Sequence, residues 1–152
     1  MAYNSTVGNV VQTVTNTYQG FVAYTNVSTS SQVTITQLST SITPKFNNSK
    51  ILVLASITFD WTRDNSGCGF VVYRDNNGGT DAELAKGNAH GSNYRCYTDL
   101  GSNNNRDQSC MQRSINLVDS PASTNSIQYQ IRLQNSSNGS GQNFILNASM
   151  HA

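Results

Sequence analysis

The feature that most constrains the fold of this chain is its large supply of short, uncharged polar side chains. Ser, Thr and Asn make up about a third of the 152 residues, whereas Asp, Glu, Lys and Arg together account for 11%. Ser, Thr and Asn are poor helix formers, because they lose rotamer freedom in a helix or offer the backbone competing hydrogen bonds. They are better suited to strands and turns. The composition therefore predicts an all-β protein.

Length and charge limit the class of protein and its partners. A chain of 152 residues fits one domain and can bury a core without disulfides or metals. The net charge of +1 provides no strong field to attract nucleic acid or an anionic membrane. The N-terminus lacks the pattern of a signal peptide, and the longest apolar run, Ile51 to Ala55, is too short to span a bilayer. We expect a soluble chain with no nucleic-acid partner and no membrane insertion.

The clearest strand pattern runs from Lys50 to Trp61. Alternate residues from Ile51 to Trp61 are apolar, and Leu52 and Leu54 make the start of the segment apolar on both faces. This pattern predicts a central strand. A polar turn and a second strand, Cys68 to Arg74, follow, so the two segments are predicted to form a β-hairpin.

A second alternating segment runs from Asn125 to Gln134. Its apolar residues are predicted to face inward and its polar residues outward, as in a half-buried antiparallel strand. The inward residues are Ile127, Tyr129, Ile131 and Leu133, and the outward residues are Ser126, Gln128, Gln130 and Arg132. The segment Gln142 to Met150 also alternates, and the two are predicted to form a C-terminal hairpin.

Several weaker strands complete the predicted fold. They are Asn9 to Tyr18, Gly20 to Thr25, Gln32 to Leu38, Thr40 to Thr43, Arg95 to Thr98 and Ser109 to Val118. A helical turn is predicted only at Asp81 to Lys86. Eight or more short strands without a βαβ rhythm predict an antiparallel β-sandwich, with jelly-roll topology as the first choice. Residues 1–8 are predicted to be an N-terminal arm and residues 9–152 a single domain.

Residues for metal or acid-base chemistry are scarce. Neither His90 nor His151 has a second ligand at metal-binding spacing. The loop from Asp75 to Asp81 contains the ligand types of a calcium site but not the EF-hand spacing, so we interpret it as a turn. We therefore predict no metal, no cofactor and no catalytic residue. An enzyme would have to draw its acids from Asp60, Asp64, Asp75 and Asp81.

The three cysteines lack the paired spacing of a zinc or redox motif. Cys68, Cys96 and Cys110 are predicted to be free thiols, buried or half-buried. A bridge between Cys96 and Cys110 is the alternative.

Four short segments, taken in order, resemble a known family. They are Ile42-Thr43-Pro44-Lys45, Asn48-Ser49-Lys50-Ile51-Leu52-Val53-Leu54, Tyr73-Arg74-Asp75, and the stretch from Leu117 to Tyr129 that contains Asp119-Ser120-Pro121-Ala122. This order is similar to a β-sandwich domain of structural proteins in tailed bacteriophages, especially aquatic and cyanobacterial ones, where it often ends a tail-fibre chain. The resemblance extends from about Asn9 to the C-terminus and implies a virion component that forms a homotrimer.

The chain begins with Met1 and has no fibre shaft or repeat before the domain. We therefore expect a capsid decoration, or cement, protein on the outer surface of the virion. It would be assembled in the host cytoplasm and bind the major capsid protein or other virion proteins. The alternative is a tail-fibre head domain that recognises a host surface glycan or protein. The predicted contact residues lie in the arm and in a long loop at Tyr94 to Ser109, and they are Tyr3, Asn9, Tyr94, Tyr97, Asn104 and Arg106.

Overall fold

The computed structural model describes residues 10–28, 32–61, 68–77, 79–84, 98–99, 110–135 and 142–148. These residues form two antiparallel β-sheets packed against each other, so the predicted all-β sandwich is confirmed. The strands are β1 (Val22–Val27), β2 (Gln32–Thr34), β3 (Thr40–Ile42), β4 (Ile51–Trp61), β5 (Cys68–Asp75), β6 (Ala82–Leu84), β7 (Thr98–Asp99), β8 (Met111–Asp119), β9 (Ile127–Asn135) and β10 (Gln142–Leu146).

The four-stranded sheet has the order β1, β10, β4, β8. Its longest strand, β4, pairs with β8 from Ile51 opposite Asp119 to Phe59 opposite Met111. On its other side, β4 pairs with β10, so the predicted central position of this strand is confirmed. Because side chains alternate along a strand, Ile57, Phe59 and Trp61 point into the sandwich, where they are buried.

The six-stranded sheet is built around β9 and β5, which pair over eight residues. Each edge of this sheet is formed by two short strands. β2 and β3 both pair with β9 at one edge, and β6 and β7 both pair with β5 at the other. A 3₁₀ turn at Thr36–Leu38 separates β2 from β3, so the predicted strand Gln32 to Leu38 ends early. The backbone N–H of Ile35 still donates to the carbonyl of Ile131 at 2.9 Å, which keeps this segment against β9.

The core lies between the two sheets and is organised by three aromatic rings. Phe59 and Phe144 come from the four-stranded sheet, Phe70 comes from the six-stranded sheet, and all three are buried. Phe70 meets Phe59 edge-on at 5.2 Å and Phe144 edge-on at 5.8 Å between ring centroids. Such pairs add a geometric preference to the burial of apolar area. The predicted inward residues of β9, from Ile127 to Leu133, are buried as expected.

Both predicted hairpins are wrong. β4 and β5 lie in different sheets, and so do β9 and β10. Alternation identifies a strand and its buried face, but it does not identify the neighbouring strand. A polar connection of six or more residues can cross from one layer of a sandwich to the other as readily as it can turn back.

Two local predictions also fail. The predicted helical turn at Asp81 to Lys86 contains strand β6, which pairs with Val72 to Arg74 of β5, because pairing along a sheet overrides weak local preference. The predicted strand Asn9 to Tyr18 does not form in its described part, since residues 10–18 carry no regular secondary structure. Of the predicted strand Arg95 to Thr98, only Thr98 is described, and it begins β7.

The segment before β1 is held between the two sheets. The Nδ2 of Asn16 donates to the carbonyls of Gln37 and Ser39, at 2.8 and 3.1 Å, beside the 3₁₀ turn of the six-stranded sheet. The Nδ2 of Asn147, just after β10 in the four-stranded sheet, donates to the carbonyls of Tyr18 and Gly20, at 2.9 and 3.0 Å. Residues 16–20 therefore bridge the two layers.

Candidate interaction surface

The outer face of the four-stranded sheet carries large aliphatic side chains in contact with solvent. Leu52 and Leu54 on β4 and Val118 on β8 are 58%, 65% and 61% exposed. Leu52 and Val118 are directly opposite each other in the strand register, and Leu54 lies two residues further along the same face. These three residues form the centre of what we call the uncharged face.

The rest of this face on β4 and β8 is made of small polar side chains. Outward positions hold Ser56, Thr58, Gln112, Ser114 and Asn116, and the Nε2 of Gln112 donates to the Oγ of Ser56 at 2.7 Å. Asp60 is the acidic residue on this face of β4, and it is buried, with Oδ1 accepting from the backbone N–H of Trp61 at 2.8 Å. The outward positions of β4 and β8 thus present no exposed charge. Exposed aliphatic groups without charge are typical of the central part of a protein contact.

The outer face of the six-stranded sheet has the opposite character. The Arg132 guanidinium donates to Oε1 of Gln130 at 2.7 Å and to Oδ2 of Asp81 at 2.6 Å. It also lies 3.9 Å above the ring centroid of Tyr73, as a cation-π pair. The Tyr73 hydroxyl donates to Oε2 of Glu83 at 3.1 Å. The charged side chains described on this face therefore have partners within the chain.

Glutamine side chains extend this network along β9. Gln32 donates to Gln134 at 3.2 Å, and Gln130 donates to Gln128 at 2.8 Å. Gln130 and Gln134 are buried even though they point away from the core. Each of these amides already bonds another side chain of the same surface, which reduces the bonding capacity that this surface offers to a docking partner.

Burial alters the acidity of two tyrosines, Tyr73 on β5 and Tyr24 on β1. Desolvation raises the pKa of Tyr73, and the nearby Glu83 carboxylate also favours the neutral phenol. Desolvation likewise raises the pKa of Tyr24, whose hydroxyl donates to Oε1 of Gln37 at 2.9 Å. Both hydroxyls serve as structural hydrogen-bond donors at neutral pH.

A charged cluster joins the sheets at one end of the sandwich. Nη1 of Arg74 lies 2.7 Å from Oδ2 of Asp119, and the Tyr129 hydroxyl donates to the same oxygen at 2.7 Å. Nε of Arg74 donates to Oδ1 of Asn76 at 3.0 Å. Burial, followed by the hydrogen bond to Asp119 and its negative charge, raises the pKa of Tyr129 well above its usual value. Each side chain of this cluster is bonded to another member, so we assign the cluster to stability.

The described residues offer little to a small ligand. An open hollow of about 150 Å³ lies beside the end of β5, but Oδ1 of Asp75, its acidic residue, already accepts from the backbone N–H of Asn77 at 2.8 Å. The other lining residues are Ser41, Ser126, Ile127 and Gln128. Within the described ranges, no group of three or more His, Cys, Asp or Glu is placed to hold a metal ion. No helix in this part of the chain has the length and hydrophobicity to cross a membrane.

The residues predicted to make contacts all lie outside the described residues. They are Tyr3, Asn9, Tyr94, Tyr97, Asn104 and Arg106. Sequence reasoning did not identify Leu52, Leu54 and Val118 as one exposed apolar group. The two outward leucines of β4 are visible in the sequence, where they indicate a strand central to its sheet. The strand is central, and its outer face is nevertheless open to solvent.

The cysteine predictions are partly tested. Cys110 is a free thiol and is exposed, so the predicted burial is wrong for this residue. It lies just before β8 rather than inside the strand, which leaves its side chain outside the core. Cys96 lies outside the described residues, and the side chain of Cys68 is likewise not described.

Comparison with known proteins gives no relative for this chain. No family model matches it, and neither a curated protein nor a solved structure does.

Proposed function

We propose that this chain is a non-enzymatic structural protein of a tailed-phage virion, and specifically a capsid decoration protein bound to the outside of the head. The observation that carries the proposal is the uncharged face, where Leu52, Leu54 and Val118 stand exposed on a regular sheet. Such a face fits a flat protein surface of similar chemistry, because burying it removes apolar area from water and the outward positions of β4 and β8 carry no exposed charge to desolvate.

The order of the strands supports a jelly-roll topology for this domain. β1 pairs with β10, β2 and β3 with β9, β4 with β8, and β5 with β6 and β7. Along the sequence, the strands of each pair lie between the strands of the pair before it. This nesting is that of one long antiparallel ribbon with eight strand positions. The additional pairings of β10 with β4 and of β9 with β5 divide the ribbon into two sheets. Double-sheet jelly rolls are common among viral capsid domains.

A decoration protein stabilises a shell by mass action. A ligand that binds the assembled shell, and not its free subunits, shifts the equilibrium toward the assembled state. Full burial of one leucine side chain contributes about 1.5–3 kcal/mol, so three half-exposed aliphatic residues supply a modest affinity for each copy. A homotrimer would present three such faces at once, and its combined affinity would be much higher through effective concentration. The proposed partner is the major capsid protein.

The first test is the position of the chain in the virion. Virions that contain it are labelled with a gold-conjugated antibody against the chain, and label is counted on heads and tails. We expect label spread over the head. Label confined to the tail tips would contradict the decoration role and favour the alternative, a tail-fibre head domain that binds a host glycan or protein.

The second test addresses the uncharged face directly. Leu54→Asp places a charge in the middle of the face, and Asn125→Asp adds the same charge at an exposed position in the connection between β8 and β9. Each variant is mixed with undecorated shells, and the bound fraction is measured by sedimentation. We expect Leu54→Asp to lose binding, because its carboxylate must be desolvated in the contact. Asn125→Asp should bind like the wild type, and equal binding of all three proteins would reject this face as the docking surface.

A further inference from the structure

The segment before β1 has the composition of a strand but forms none. Six of the eight residues from Val10 to Thr17 are Val or Thr, and the segment has no charge, no Gly and no Pro. β-branched residues of this kind are enriched in strands because they pack well on a pleated surface. Residues 10–19 nevertheless carry no regular secondary structure, and Val10 is 84% exposed. Val11 and Val14 are also exposed.

Residues 16–20 are hydrogen-bonded to both sheets, whereas the residues before them are not bonded to the described fold. Asn16 is bonded to the carbonyls of Gln37 and Ser39, and Asn147 holds the carbonyls of Tyr18 and Gly20. Gly20 packs closely against the Tyr18 side chain, because a Cβ at position 20 would lie 2.7 Å from the hydroxyl of Tyr18. No hydrogen bond joins residues 10–15 to the rest of the described chain. Six residues in a strand extend about 20 Å, which is enough to cross to a neighbouring molecule.

We infer that residues 10–15 add as a strand to the sheet of a second copy of this chain. In this mode of association, the backbone ladder supplies affinity and the alternating side chains supply specificity. A further strand can be added at the edge of a sheet, and β1 and β8 are the edge strands of the four-stranded sheet. Val10 and Val14 would lie on one face of the added strand, because side chains alternate along it.

Several observations favour a second copy as the partner. The segment is uncharged, and the chain has a net charge of only +1, so copies do not repel each other strongly. Every copy carries both the donor segment and the acceptor sheet. The contact is therefore head-to-tail, and when its rotation closes it produces a ring of identical subunits. Association of this kind joins copies of the chain to one another and does not depend on a position in a virion.

The test compares proline and threonine substitutions in the full chain. Successive N–H groups of a strand point to opposite sides, so either Thr13→Pro or Val14→Pro must remove a ladder hydrogen bond. Val14→Thr keeps the shape and β propensity of the side chain and serves as the matched control. The association constant is measured by analytical ultracentrifugation, and circular dichroism verifies that each variant is folded.

We expect the wild type to self-associate and at least one proline variant to weaken association about tenfold or more, since a tenfold change corresponds to about 1.4 kcal/mol. Val14→Thr should stay within about threefold of the wild type on the same scale. Backbone amides of residues 10–15 should be protected from hydrogen exchange in the associated protein and exchange rapidly after dilution. A monomeric wild type, or two proline variants that associate normally, would overturn the inference. If Val14→Thr and Val14→Pro weakened association equally, the contact would depend on apolar side chains and not on backbone hydrogen bonds. That result would also overturn the inference.

Discussion

Arg74 and Asp119 lie on different sheets of the sandwich and form an ion pair across it. Nη1 of Arg74, on β5, donates to both carboxylate oxygens of Asp119, on β8, at 2.8 and 2.7 Å. Their side chains are only 15% and 9% exposed. Because both groups are largely removed from water, each depends on the other for compensation of its charge. The pair therefore fixes the two layers at the end where β5 and β8 finish.

Replacing Asp119 should destabilise the fold substantially. Asp119→Asn removes the charge that faces Arg74 and weakens the acceptor of the Tyr129 hydroxyl, and we expect a loss of about 3 kcal/mol in the free energy of unfolding. Urea denaturation measures this loss. Asp81→Asn is the control, since the Asp81–Arg132 pair lies in a more exposed position and should be worth less than about 1 kcal/mol. Equal losses in the free energy of unfolding would show that the ion pair between the sheets contributes no more stability than the more exposed Asp81–Arg132 pair.

Stability should fall at alkaline pH, with Tyr129 as a main contributor. Its pKa in the folded protein is raised above the ordinary value of 10.0, first by burial and then by Asp119. As the pH rises above that ordinary value, the unfolded chain releases the proton while the folded chain keeps it. The stabilisation is thus complete below pH 10 and decreases above it, by about 1.4 kcal/mol per pH unit for one such tyrosine. Tyr24 and Tyr73 act with the same sign.

Tyr129→Phe isolates this contribution. The variant has no phenol to titrate at position 129, so its free energy of unfolding should decline less steeply between pH 9 and pH 11 in urea denaturation. Identical slopes for the variant and the wild type would assign the alkaline loss to other groups.

Ala122 occupies a backbone conformation that favours glycine. Its φ is 50° in the connection between β8 and β9, where a Cβ meets steric resistance. Ala122→Gly removes this strain at some cost in chain entropy, and we expect a gain of about 0.5–1 kcal/mol in stability. Thermal unfolding measures the gain. Ala23→Gly in β1 is the matched control and should lose stability, because glycine is unfavourable in a strand. A loss of stability in both variants would contradict the assignment of strain.

Phe70 should be one of the most sensitive core positions. It is fully buried and makes edge-on contacts with Phe59 and Phe144 of the opposite sheet. Phe70→Ala leaves a cavity between the layers, and we expect a loss of about 3–5 kcal/mol in urea denaturation. Phe46→Ala removes a ring that is 57% exposed and should change stability by less than about 0.5 kcal/mol. A small effect at Phe70 would show that the two sheets close over the cavity.

The uncharged face was only partly predictable from the sequence. Leu52 and Leu54 appear in the sequence as an apolar pair on the second face of β4, but their significance depends on what covers that face. Val118 becomes relevant only because the register places it opposite Leu52. The polar network of the other sheet is hidden in the same way, since Arg132 and Asp81 are 51 residues apart.

The sequence by itself determined the all-β class, the positions of β4 and β9, and the buried faces of both strands. These properties depend on local composition and on the two-residue period of a strand, and both can be read along the chain. Only the tertiary structure decided which strands are neighbours, how β2 and β3 share one edge, and that β4 and β5 lie in opposite sheets. Pairing joins residues that are distant in the sequence, as in Arg74 with Asp119, and it is selected by the packing of the whole core rather than by any single segment.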